Sequence, residues 1–173
     1  MNLPQTTYQN APSVALIGMV SERHPYTKFS KSAKGSIIVG TFVQLTGDAE
    51  GGIGSVNPGQ VQAIADGTTS LLGTMVAVFD AARSPQAETV SNDAAAGCYA
   101  DKDDIACLED GCVWMWTENA ATQGDSVYVR CTGSGTHVNG QVHDGAAANF
   151  VQHPTAIFMS STTGAGLVLV KIK

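Results

Sequence analysis

Charge is what this sequence has least of. Only 14% of its 173 residues are Asp, Glu, Lys or Arg, against about 25% in an average soluble domain. So neutral an exterior fits a chain much of whose outside is covered by other subunits, with an uncharged free surface as the alternative. Long apolar runs are also missing. The longest, residues 14–20, is far short of the roughly 18 residues of a membrane-spanning helix, so no membrane partner is expected. The opening Met1-Asn2-Leu3-Pro4-Gln5 lacks the charged and apolar regions of a secretory signal, which points to synthesis in a cytoplasm with reduced cysteines. Basic residues are scarce: nine Lys plus Arg face fifteen Asp plus Glu, for a net charge of −6. General nucleic-acid binding, which needs a basic face, is not expected.

The little basic charge is unevenly placed. Residues 1–34 hold Arg23, Lys28, Lys31 and Lys34 against Glu22 alone, while residues 35–173 hold five positive residues and fourteen acids. A basic amino-terminal arm, 1–34, thus precedes an acidic body, 35–173, the whole forming one domain. The chain is long enough to close a core without disulfide staples.

Amphipathic helices are missing too, with nineteen glycines and no sustained 3.6-residue apolar period. Short runs rich in β-branched and aromatic residues, bounded by Gly, Asn, Asp or Pro, predict strands over 14–20, 36–45, 60–64, 71–79, 105–108, 112–117, 126–131, 155–160 and 167–172. That pattern predicts an all-β single-domain fold, a β-barrel or β-sandwich of short antiparallel strands with an extended basic N-terminal arm. The stretches 47–59 and 80–97 read as its two long loops. In 126–131, Val127, Val129 and Cys131 alternate with Tyr128 and Arg130, and at the end Val168, Val170 and Ile172 alternate with Leu167, Leu169 and Lys171.

Asp110-Gly111 between two such runs predicts a two-residue hairpin turn. In its register Ala106, Leu108, Val113 and Met115 share one face, and Ile105, Cys107, Cys112, Trp114 and Trp116 the other. Both faces are apolar, so the hairpin is covered twice: inside a sandwich, or against a neighbouring subunit, the reading we favour.

Chemistry is hard to find. Cys98, Cys107, Cys112 and Cys131 contain no C-x-x-C pair and read as buried small hydrophobes. His137 and His143 flank Asn139-Gly140 without a third ligand, and Asp101-Lys102-Asp103-Asp104 lacks the order of a calcium loop, so no metal is assigned. Gly52-Ile53-Gly54 and Gly133-Ser134-Gly135 lead into no Lys-Ser or Lys-Thr, and no serine lies in a G-x-S-x-G elbow. No catalytic residue and no cofactor is assigned; a binding or structural protein is expected.

The carboxyl half carries a resemblance. Cys98-Tyr99-Ala100-Asp101, then Asp110-Gly111-Cys112-Val113-Trp114-Met115-Trp116, then Ala121, Gly124-Asp125-Ser126-Val127-Tyr128-Val129 and the closing Gly166-Leu167-Val168-Leu169-Val170 resemble the capsid cement, or decoration, proteins of tailed bacteriophages. The resemblance implies a non-enzymatic virion protein on the outer surface of the assembled head, partnered by the major capsid protein and by itself as a homotrimer. Under it, Arg23, Tyr26, Lys28, Phe29, Lys31 and Lys34 are candidate capsid contacts, with a solvated loop as the alternative. Trp114, Trp116, Met115 and Tyr128 are candidates for the core or a trimer contact. A phage tail component or a carbohydrate-binding β module is the alternative function.

Overall fold

The computed structural model describes residues 15–21, 23–46, 59–78, 97–135 and 137–173. Among them the β-rich runs form eleven strands and no helix: β1 (Thr27–Lys34), β2 (Ile37–Ile38), β3 (Phe42–Leu45), β4 (Gln60–Ala63), β5 (Met75–Val78), β6 (Cys98–Tyr99), β7 (Asp104–Thr117), β8 (Ser126–Arg130), β9 (Val142–Asp144), β10 (Phe150–Phe158) and β11 (Gly166–Ile172). The all-β barrel-like class is the one the sequence predicts.

Nine strands form one sheet that meets itself twice at β7. Strands run β1-β4-β3-β5-β7, and β7 pairs back antiparallel with β1, closing a first ring. From β7 the order continues β11-β10-β8-β9, and β9 returns to β7 through the pair Thr117↔Val142, completing a second ring. Strands β2 and β6 pair separately. Closure leaves fewer open edges for unwanted pairing.

Two cores follow from the alternation of side chains. Ala33, Val43, Val61, Met75, Ala77, Ile105 and Cys107 fill one cluster with Ile37, Val39 and Tyr99. The alternate residues of the same strands, Phe42, Val76, Val78, Ala106 and Leu108, join Val113, Met115, Val127, Val129, Val142, Phe158, Val168, Val170 and Ile172 in a larger one. Strand β5 is therefore buried on both faces, which explains its unbroken apolar sequence.

The expected hairpin at Asp110-Gly111 does not form. Residues 104–117 are one continuous strand, β7, whose first half pairs with β1 and β5 and whose second half pairs with β11. Gly111 has φ +135°, and a Cβ there would lie 2.7 Å from Tyr26 Cβ, so the Asp-Gly pair makes a bend under a close neighbour. Across that bend the alternation slips by one residue. The expected grouping of Ala106, Leu108, Val113 and Met115 on one face therefore holds although the turn does not. The double apolarity of 105–108 is met within the chain by its two cores, so the subunit interface favoured for it is not required.

Other boundaries shift. The basic segment expected as an arm is, over Thr27–Lys34, strand β1 of the first ring. The run 36–45 divides into β2 and β3 around Gly40, at φ +77°. The strand expected over 71–79 begins only at Met75, after a turn in which the Thr74 hydroxyl donates to the Leu71 carbonyl. Both expected long loops fall almost wholly outside the described residues.

Candidate interaction surfaces

Strand β7 is 14 residues long, up to about 45 Å at 3.3 Å per residue. It places two candidate surfaces, one along each half.

The first is the basic strand. β1 runs antiparallel to the first half of β7, with Phe29 opposite Cys107 and Lys31 opposite Ile105. Tyr26 and Phe29 remain 46% and 44% exposed, high for large rings. Lys28 Nζ stands 5.2 Å from the Tyr26 ring centre and Lys31 Nζ 5.7 Å from that of Phe29. These are two cation–π couples, within the roughly 6 Å at which ring and ammonium attract. Phe29 and Lys31 share one side of β1, while Lys28 lies on the other, opposite Leu108. Arg23, Lys28 and Lys34 are exposed and Lys31 half-buried.

The neighbouring acids act structurally. Asp101 accepts from Gly35 N at 2.8 Å and Asp103 from Ala100 N at 2.7 Å, closing the turn in which Lys102 adopts φ 70°.

The second surface is the outward side of β7 and its neighbours. Met115 points inward and is fully buried, so Trp114 and Trp116 point outward, where each is half-buried. In register, Trp116 stands opposite Leu167 and Trp114 opposite Leu169 on β11. Along the other edge of β7, Trp114 N donates to Met19 O and Ser21 N to Cys112 O, which brings Met19, 41% exposed, beside Trp114. Beyond β11, Met159 N donates to Leu169 O. Met19, Trp114, Leu169 and Met159 thus form an apolar row across four chain segments, flanked by Trp116 with Leu167. Such cross-strand pairs are ordinary sheet packing on their inner sides and a contact surface on their outer sides.

The candidates separate accordingly. Tyr128 is half-buried on β8, opposite Gln152 and His143, away from the tryptophan row. Sequence reasoning missed Met19, Met159 and the outward use of Leu167 and Leu169. The alternation in β11 was the available signal.

The sequence also gave no sign of the fastening at the end of β7. Arg130 Nε donates to Glu118 Oε1 at 2.6 Å and Nη2 to Oε2 at 2.5 Å. This is a side-on pair whose side chains are only 9% and 6% exposed. Arg130 also lies 4.5 Å over the Phe150 ring, and Asn119 donates to Asp144 O. The pair anchors the end of β8 to the residues just after β7.

Cys107, Cys112 and Cys131 are buried free thiols, and burial pushes Cys107 up to about 12, out of the thiolate range at neutral pH. Cys98 is exposed, contrary to the expectation for all four. Among the described residues no three His, Cys, Asp or Glu side chains cluster as metal ligands.

The chain of "The capsid of Myoviridae Phage XM1" superposes with a TM-score of 0.66 at 16% identity, covering 100% of this chain and 98% of that one, and so shares the fold. No curated protein matches. Residues 4–173 match the family described as "Structural cement protein (E217 gp24/Pam3 gp6)". The chain belongs to this family of phage structural cement proteins.

Proposed function

We propose that the protein binds the outer surface of the assembled phage head, bridges major capsid subunits and does so as a homotrimer. The observation that carries this reading is the arrangement on β7: a basic, aromatic strand along one half and an uncharged apolar row along the other. Two surfaces on one strut let one molecule touch two neighbours. The basic strand is assigned to acidic groups of the capsid and the tryptophan row to another copy. Whatever binds the assembled lattice but not free subunits stabilises the lattice, and several modest contacts within one trimer combine through effective concentration. The role needs no catalytic residue and no cofactor, and it places the protein on the virion exterior.

The paired charge reversal Lys28→Glu with Lys31→Glu tests the first assignment. Occupancy of heads should fall at least tenfold at low salt, with the variant's own folding unchanged. Undiminished occupancy would overturn the assignment. For the alternative carbohydrate-binding module, one groove among the described residues, about 550 Å³ and lined by Ser36, Ile38, Thr41, His137 and Asn139 among others, presents no Tyr, Trp or Phe platform.

A further inference from the structure

His153 is 4% exposed in β10, at the point where its pairing with β8 shifts register between Gln152 and Ile157. Its two ring nitrogens face different partners. Nδ1 accepts from Thr155 N at 3.3 Å and Ala156 N at 3.0 Å, and so carries no proton. Nε2 lies 3.2 Å from Thr74 Oγ1, whose own hydrogen goes to Leu71 O at 2.8 Å. Nε2 must therefore be the N–H that donates. The ring also packs on Phe42 with centres 4.9 Å apart. Phe42 on β3 and Thr74, just before β5, lie on the first ring of strands and His153 on the second.

We propose that His153 is an acid-sensitive pin between the two rings: neutral, it caps the β10 bulge and holds it against Thr74 and Phe42, and protonated it releases both. A proton on Nδ1 would point at two backbone N–H donors, removing two hydrogen bonds and burying a charge. Burial holds the imidazolium form back, lowering the pKa from 6.5 to about 4. Phe42 and Thr74, the side chains from the first ring that meet the imidazole, do not titrate. Glu109 and Asp110 from β7 and Lys173 after β11 line the adjoining cavity of about 370 Å³. Both carboxylates are exposed and lie outside the hydrogen-bond set of the ring.

Because the folded pKa is depressed, the contribution is complete above pH 6.5 and is lost as pH falls toward about 4. NMR of the imidazole nitrogens in the full chain tests this directly. The Nε2–H tautomer at pH 7 and a titration near pH 4 are expected. An Nδ1–H tautomer, or titration at the ordinary value, would overturn it. Denaturation at pH 7 down to 4 gives a second reading: the folding equilibrium of the unaltered protein should fall up to about tenfold more per pH unit than that of His153→Gln. Parallel curves would overturn the proposal. Should that variant not fold, the ring titration alone decides. Both measurements use the free protein, so they stand apart from any result on head binding.

Discussion

Gly140 is where the loop between β8 and β9 presses on the first ring. It adopts φ +89°, donates to Arg130 O at 2.9 Å and accepts from Phe42 N at 3.0 Å. A Cβ there would overlap the Phe42 carbonyl oxygen and lie 2.9 Å from Phe42 N and Thr41 Cβ, mostly backbone that cannot swing aside. Gly140→Ala therefore combines three costs. The left-handed backbone costs about 1 kcal/mol for an L-residue. Disturbing the two hydrogen bonds costs about 1 kcal/mol more, and overpacking about 2 kcal/mol. The sum, about 4 kcal/mol, is a large share of the 5–15 kcal/mol typical of a domain. Gly124→Ala is the control: its φ is +96°, but nothing lies within 4 Å of the added carbon, so only the backbone cost of about 1 kcal/mol applies. Urea denaturation followed by tryptophan fluorescence should separate the two variants by about 3 kcal/mol at equal denaturant slope. A Gly140→Ala protein no less stable than the Gly124→Ala control would refute the packing of the two rings described above.

The two sides of β7 should respond differently. Met115→Ala, at a fully buried position, should cost about 3 kcal/mol in the same denaturation assay. Trp114→Ser, on the outward row, should cost markedly less stability while shifting sedimentation equilibrium toward the monomer. Glu118→Gln should destabilise by about 3 kcal/mol because it leaves Arg130 buried without its counter-charge. Joint replacement by Glu118→Leu and Arg130→Met should recover most of that loss, as read by thermal melting.

Side-chain alternation made much of the body legible in advance. Val127 and Val129 in β8 with Cys131 just after it, and Val168, Val170 and Ile172 in β11, are buried as their spacing predicts. Turn chemistry misled at Asp110-Gly111, because long-range pairing of both halves of β7 overrode a local hairpin preference. β1 went unseen because its exposed Lys and Ser residues carry little apolar signal, and its place is set by pairing with β7. The Glu118–Arg130 pair and the His153 pin join residues 12 and 79 positions from their partners. Spatial pairs of that kind leave no local pattern. The candidate surfaces were half legible: the tryptophans and the basic residues stood out, but only the register shows that Met19, Leu169 and Met159 complete the outward row.

Sedimentation of the purified protein with undecorated, expanded phage heads tests the central claim most directly. Saturable co-sedimentation at a fixed ratio to capsid subunits, absent with unexpanded shells, is the predicted result. A protein that stays in the supernatant with expanded heads at every concentration would contradict the account.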